Sequence, residues 1–397
     1  RLAFISLLLK SSVRKEFLLH KTTDIVSQIL VDNVFHSSHF RGTRTDFKLK
    51  LYNILEPGQS VRPVIDHESV KLLAERLYGI SVLELTELNG YDDKNYKIIE
   101  DPNVKNPLIT NHCEHGYVLK IMNSMDTLNP AVVEAQNEIM NFYARSITCP
   151  KPVRNVYGHL YSTESISGKQ HAVRLLEYVP GERLCDVPRS EALLYQLGEF
   201  VANLDNKLEN FNHSGLLDRK HIWMLSMVPE LDKFKHVIKD TEKLDLVIEE
   251  FKYAVVPRYE ELEKGVIHGD VNEMNIIVGL NKSDYRITSI IDFGDIQYSY
   301  YIFELAIAMT YTILTTGDIR AAGLVLAGYT VNRRVPDDEK KQVSNGRRLS
   351  ILLVIRDIQL LPLSNSETTL RTLDLGSNLV NERRTEVEVG SCNPLST

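Results

Sequence analysis

Apolar residues recur at steps of three and four from Leu193 through Leu197, Phe200, Val201, Leu204 and Leu208 to Phe211. That period lays one apolar stripe along a helix, so the stretch predicts an amphipathic helix with its stripe in the core. A second helical pattern begins at Asp66. Val70, Leu73 and Leu77 share a face, Asp66 is placed to cap the N-terminus and Gly79 to close the other end. Between these two, apolar runs are short and punctuated by turns. Val82 to Leu88 and Asn95 to Ile99 flank Asn89-Gly90-Tyr91-Asp92-Asp93, which predicts a hairpin. Gly116 to Met122 is another strand candidate, and Ala172 to Val179 a later one that ends in Pro180-Gly181. Asn275 to Val278 and Ile287 to Phe293 are split by a polar turn, GLNKSDYR, and predict a second, antiparallel hairpin. Tyr298 to Leu314 is apolar and aromatic with Glu304 embedded, a buried helix whose carboxylate is expected to cap or brace a nearby loop. Residues 231 to 263 alternate charged and apolar positions and read as exposed helices.

The second hairpin carries the chemistry. It is preceded by His268, Gly269 and Asp270, and the stretch spells H-G-D-V-N-E-M-N followed by D-F-G-D. In an antiparallel hairpin the first residue of one strand lies opposite the last of the other, which makes Asn275 and Asp292 neighbours. Two oxygen donors beside a separate carboxylate suit a hard cation such as Mg²⁺, which takes one or two protein oxygens plus phosphates. Kinase chemistry uses the same parts: an Asp for the acceptor hydroxyl, an Asn five positions on and a later Asp for metal. The pattern implies a kinase-type phosphotransferase core with Asp270 as base and Asn275 and Asp292 as Mg²⁺ ligands.

Lys120 interrupts the otherwise apolar GYVLKIM run. A lysine in a buried strand needs an anionic partner, because an unpaired buried charge is very costly. The downstream motif favours contact with nucleotide phosphates. A carboxylate mate is expected from the helix after Pro130, where Glu134 and Glu138 are four apart on one face. Glu134 is the first choice and Glu138 the alternative. AVRLLEYVPG then reads as the crossover between two lobes, with backbone groups of Glu177 and Val179 offered to the purine edge.

Composition narrows the setting. The chain has 397 residues, 43% hydrophobic and 25% charged, as in ordinary globular proteins. A net charge of −7 with no basic stripe argues against a nucleic-acid partner. Cys113, Cys149, Cys185 and Cys392 show no C-x-x-C spacing, the pattern of reduced thiols in a cytoplasmic protein. No run reaches transmembrane length, so no membrane partner is expected. The chain opens on Arg1 and not on Met, as a fragment would.

The segments NGYDDKNYKI, YVLKI, RLLEYVPG, VIHGDVNEMNIIV and IIDFGDIQYSYYIFELAIAM together resemble the aminoglycoside phosphotransferase and choline kinase superfamily. Its signature is HGD-x-x-x-x-N followed by an I-D-F/W-G-D/E motif, and the likeness runs over roughly residues 60 to 330. It implies an α+β, protein-kinase-like two-lobed fold: a β-rich N-lobe over 56–180 and a mostly helical C-lobe over 181–361. It further implies transfer of the γ-phosphoryl of GTP or ATP, with Mg²⁺, to a hydroxyl of a small amino alcohol. 5-Hydroxylysine is the acceptor its nearest branch implies; choline, ethanolamine or an aminoglycoside are the alternatives, and a non-catalytic nucleotide-binding relative stays open. A protein kinase fits poorly, since the Arg of H-R-D, the A-P-E motif and the glycine-rich loop are all missing. Residues 1–55 have no counterpart in the family and read as a flexible extension; the family pattern fades after about Tyr329, and residues 362–397 read as a disordered tail.

Overall fold

The computed structural model describes residues 60–336 except 110, 111, 222, 238–240 and 283. The expected extension over 1–55, the apolar stretch from Leu352 to Leu361 and the expected tail over 362–397 lie outside the described residues. Among the described residues, no helix is long and apolar enough to cross a membrane, and Cys113, Cys149 and Cys185 are free thiols.

Helix α1 (His67–Tyr78) forms as its pattern requires. The Asp66 carboxylate accepts from the Ser69 N–H and hydroxyl, both at 2.9 Å, and Gly79 ends the helix at φ 61°, a left-handed position that glycine takes without strain. Its face of Val70, Leu73, Ala74 and Leu77 is buried on a six-stranded antiparallel sheet. The sheet is built from β1 (Val82–Leu88), β2 (Lys94–Glu100), β3 (Tyr117–Ile121), β4 (Pro152–Val153), β5 (Ser162–Ile166) and β6 (Lys169–Glu177). The path runs β1-β2-β3-β6-β4, with β5 on β6. Its register places Lys120 between Asn95 on one side and Arg174 on the other. A short helix, α2 (Ser124–Thr127), and the longer α3 (Pro130–Tyr143) follow β3. The inner side of α3, with Ala135, Ile139, Met140 and Tyr143, joins the core of the second lobe.

The chain crosses between lobes through Tyr178 to Gly181, and β7 (Glu182–Arg183) already pairs with a C-lobe strand. A Cβ at Gly181 would meet Ile277 Cγ2 at 2.5 Å and Val278 O at 2.7 Å, so the crossover needs glycine there. Helix α4 (Glu191–Leu208) buries the predicted stripe of Leu193, Leu197, Val201, Leu204 and Leu208, each worth about 1.5–3 kcal/mol when removed from water. After α5 (Ser214–Leu217) and a 3-10 segment over Leu225–Val237 comes α6 (Thr241–Ala254). These last two elements are not merely exposed helices. Leu231, Leu244, Val247, Ile248 and Phe251 are buried with Tyr300 and Phe303 in a second C-lobe cluster.

Strand β8 (Lys264–Ile267) leads into the motif hairpin of β9 (Ile276–Asn281) and β10 (Asp284–Ile290). The turn is tighter than the sequence suggested, because Asp284, Tyr285 and Arg286 belong to a strand and not to the loop; that strand ends at Ile290, short of the expected Phe293, which opens a 3-10 turn. Strand β11 (Gln297–Tyr300) pairs back onto β8, and helices α7 (Tyr301–Thr316) and α8 (Ile319–Asn332) complete the described lobe. α8 lies directly on α4. A Cβ at Gly198 would sit 1.9 Å from Val325 O, and one at Gly328 1.9 Å from Tyr195 O.

Candidate active site

Lys120, on β3, is 5% exposed, so its ammonium is stable only if oppositely charged groups replace the lost water. Two do. Nζ lies 2.9 Å from Asp93 Oδ2 and 2.9 Å from Asp292 Oδ1. Burial alone would pull the lysine pKa down, but Asp292 and Asp93 outweigh it and hold Lys120 above its usual range. Asp292 shows the converse. Burial pushes its carboxyl up, yet the Lys120 ammonium, by charge and hydrogen bond, holds it at about 2. The Asp292 side chain is 43% exposed toward the cleft while the surrounding protein still desolvates it.

The helix carboxylates expected for Lys120 are elsewhere. Val132, Val133, Ala135, Ile139 and Met140 select the buried arc of α3, and that arc carries Gln136 and Asn137 inward with it. Glu134 and Glu138 fall on the opposite, exposed arc, where Glu138 approaches His213 at 3.8 Å. Inside, Gln136 accepts from Arg174 at 3.0 Å and donates to Gly294 O at 2.9 Å. Arg174 is 1% exposed, and its Nε finds no partner among the described residues.

Past β8 the chain turns through His268, Gly269 and Asp270. Gly269 has φ 84°, and a Cβ there would lie 2.5 Å from Asp295 O. Glu304, fully buried on α7, accepts from the backbone N–H of His268 and from that of Gly269 at 3.1 Å. Burial pushes the Glu304 carboxyl up, and the two peptide N–H groups pull it back. The brace expected of this residue therefore falls on the His268–Gly269 turn. His268 is itself buried, and burial lowers its pKa, so the ring is neutral. Nδ1 accepts from the Asp270 N–H at 3.3 Å and Nε2 donates to Ile291 O at 3.1 Å, one consistent tautomer that ties the two motif halves together.

Among the described residues, amide and hydroxyl side chains aim Asp270. Its Oδ2 accepts from Asn272 Nδ2 and Asn275 Nδ2, both at 2.9 Å, and its Oδ1 from the Tyr311 hydroxyl at 3.4 Å. Asn275 Nδ2 also donates to the Asp270 carbonyl at 3.0 Å, which leaves the amide oxygen of Asn275 as its metal-type donor. The Asn275 carbonyl accepts from the Ile291 N–H at 2.9 Å, so Asp292 follows one residue beyond, close to the neighbour relation read from the hairpin. Asp292 sits at φ 60°, a left-handed conformation uncommon for a residue with a Cβ and typical of strained functional positions. Its Oδ1 accepts from the Gly294 N–H at 3.2 Å, and Phe293 packs edge-on to His268 at 5.1 Å. Arg219 donates to Gly294 O at 2.8 Å and also to Ile296 O, bracing the same loop. Among the described residues no group of three His, Cys, Asp or Glu side chains forms a metal cage. Asn275 and Asp292 offer oxygen only, a donor set that fits Mg²⁺ shared with phosphates.

At the crossover, the Glu177 N–H is taken by Lys151 O at 2.9 Å and the Tyr178 N–H by Gly116 O at 3.0 Å; Val179 is buried. The structure thus brings Lys120, Asp270, Asn275 and Asp292 into one cleft and leaves Glu134 outside it. Sequence reading missed Asp93, Arg174, Gln136 and Tyr311. Only for Asp93 was a signal present: a buried lysine demands a carboxylate, and a pair of them stands in the turn beside its neighbouring strand.

The sequence profile of the phosphotransferase enzyme family matches residues 88–339. A hydroxylysine kinase of Xenopus laevis is 35% identical over 341 residues, 79% of this chain and 88% of its own. One of Mus musculus is 32% identical over 288 residues, 68% and 75% of the two chains. Among solved structures, an amicoumacin kinase in complex with AMP-PNP, Ca²⁺ and Ami superposes with TM-score 0.57 at 15% identity, covering 80% of this chain and 94% of that one. That likeness shows the two-lobed, protein-kinase-like fold. Profile, relatives and motif geometry agree: the chain belongs to the phosphotransferase enzyme family and is a small-molecule kinase with an alcohol as acceptor.

Proposed function

We propose that the chain transfers the γ-phosphoryl group of GTP or ATP to the 5-hydroxyl of hydroxy-L-lysine. The observation that carries the acceptor is the 35% identity, over 79% of the chain, to a relative named for that substrate. The observation that supports the chemistry is Asp270, a carboxylate aimed by the amides of Asn272 and Asn275 at 2.9 Å.

Asp270 accepts the proton of the acceptor hydroxyl and holds its oxygen in line with the γ-phosphorus. The new O–P bond forms as the bond from the γ-phosphorus to the β–γ bridging oxygen breaks, and the nucleoside diphosphate leaves. Little covalent work falls to the protein, so positioning and charge neutralisation dominate. Lys120 holds the α- and β-phosphate oxygens. Backbone groups of Glu177 and Val179 meet the purine edge. Asn275 and Asp292 would hold Mg²⁺ through their oxygens, and the bound ion would neutralise phosphate charge. Glu134 has no part in this scheme, since the structure turns it outward.

The test is turnover of 5-hydroxy-L-lysine with Mg²⁺-GTP and Mg²⁺-ATP, with choline, ethanolamine and kanamycin as comparison acceptors. Activity confined to hydroxylysine supports the reading. Preference for another acceptor by tenfold or more in kcat/KM, on the order of 1.4 kcal/mol, overturns the acceptor assignment.

A further inference from the structure

One of the two counter-charges of Lys120, Asp93, is delivered by the turn between β1 and β2. Three partners were open to the lysine. The inward face of α3 offers only the neutral Gln136 and Asn137, and both already face Arg174, at 3.0 and 3.4 Å. Asp292 pairs with Lys120 at 2.9 Å, but under the proposed function it is a metal ligand, and a carboxylate shared with a metal is a weakened partner. Asp93 remains, at 2.9 Å, with its side chain 14% exposed.

Asp93 is not a loosely placed surface acid. Its Oδ1 accepts from the Asn123 backbone N–H at 2.7 Å and from Asn123 Nδ2 at 3.1 Å. Asn123 is buried and caps α2, accepting from Met125 N and Asp126 N at 3.1 and 2.8 Å. The turn itself is tight: a Cβ at Gly90 would lie 2.6 Å from Asp93 O. Two residues before Asp93, Tyr91 reaches across the cleft and packs edge-on against Trp223 of the C-lobe, ring centroids 5.5 Å apart. One five-residue turn therefore does two things. It closes over the cleft through Tyr91, and it supplies the carboxylate that aims Lys120 through Asp93.

We propose that Asp93 is the positioning residue of Lys120, in place of a helix carboxylate, and that closure of the Asn89–Asp93 turn and alignment of the lysine are a single event. The proposal rests on the kinase reading and deepens it. When Asp292 turns to the metal, Asp93 keeps the ammonium fixed toward the phosphates. When the turn lifts, Lys120 loses that partner and the phosphate site is dismantled.

The experiment uses the full chain and its Asp93→Asn, Asp93→Glu, Tyr91→Ala and Glu134→Gln variants. Mg²⁺-nucleotide affinity is measured by calorimetry, and kcat and both KM values by steady-state assay. Asp93→Asn is expected to raise the nucleotide Kd and KM by about tenfold or more while the acceptor KM stays within about twofold. Asp93→Glu should recover part of the loss. Tyr91 is 48% exposed, so Tyr91→Ala should fold normally, and it should raise the nucleotide KM by several-fold through the turn alone. Glu134→Gln should match the parent. Unchanged or tighter nucleotide binding in Asp93→Asn would overturn the proposal, since Asp93 would then be idle or a competitor of the phosphates. An equal loss in Glu134→Gln would overturn it as well. A parent chain that binds no nucleotide at all overturns the kinase reading, and this proposal falls with it.

Discussion

Asn275 gives both hydrogens of its side-chain amide to Asp270, one to the carboxylate Oδ2 at 2.9 Å and one to the backbone carbonyl at 3.0 Å. Under the proposed function, the residue that would turn an oxygen to Mg²⁺ therefore also fixes the direction of the one that would meet the acceptor hydroxyl. Replacing Asp270 by Asn removes the proton acceptor while keeping the shape. The expected result is a fall in kcat of roughly 10²–10⁴-fold, with nucleotide affinity measured by calorimetry nearly unchanged.

Lys120 holds the Asp292 carboxyl at about 2, so it is ionised at any working pH. Chelation should abolish turnover and added Mg²⁺ should restore it. Asp292→Asn should raise the Mg²⁺ concentration for half-maximal rate by about tenfold or more, read from metal titrations of initial rate. It also strips Lys120 of one of its two partners, so a rise in nucleotide KM should accompany the metal effect.

Stability should carry the mark of Asp205. This carboxyl is fully buried on α4 and accepts from the Tyr329 hydroxyl at 2.6 Å. Burial pushes its pKa up to about 8, against the pull of Tyr329 and Arg333. In the unfolded chain it titrates near 3.8. Between those values the folded state keeps a proton that the unfolded state has lost, so this contribution to stability falls as pH rises from about 4 to about 8 and is flat outside that window. Asp205→Asn keeps an acceptor for Tyr329 and cannot ionise. Its melting temperature relative to the parent should climb from pH 5 to pH 8. A constant difference would show that Asp205 does not titrate in that range.

The contact of α4 with α8 leaves no room for a methyl group. At Gly198 a Cβ would sit 1.9 Å from a carbonyl oxygen of α8, backbone that cannot swing aside as a side chain can. Gly198→Ala should separate the helices and cost on the order of 2 kcal/mol or more, visible as a drop in melting temperature of several degrees. Gly323→Ala, on the facing helix α8, where a Cβ meets nothing within 4 Å, is the comparison and should leave the melting temperature unchanged or higher.

Much of the site could be read in the sequence because its parts are local. Asp270, Asn275 and Asp292 lie on one loop and hairpin, so spacing alone brings them together. The caps of α1, the β1–β2 hairpin and the stripe of α4 were legible for the same reason. Lys120's partner was not. Glu134 and Glu138 do share a face, but which face turns inward is decided by packing, and the inward arc of α3 carries polar Gln136 and Asn137 that no apolar period marks. Asp93 reaches Lys120 through the β2–β3 pairing, where Asn95 stands opposite Lys120, and strand pairing is a long-range property. The α6 stripe was overlooked for a different reason. Leu244, Val247, Ile248 and Phe251 follow the i, i+3, i+4, i+7 rule, but dense Glu and Lys between them read as an exposed helix.

The central claim is phosphoryl transfer to an amino-alcohol hydroxyl with Asp270 as base. It is tested most directly by incubating the full chain with Mg²⁺-GTP or Mg²⁺-ATP and 5-hydroxy-L-lysine, following nucleoside diphosphate and phosphorylated product together. Stoichiometric appearance of both, lost in Asp270→Asn, is the predicted result. Nucleotide binding without product on hydroxylysine, choline, ethanolamine or kanamycin would contradict the account and mark the chain as a nucleotide-binding relative without this activity.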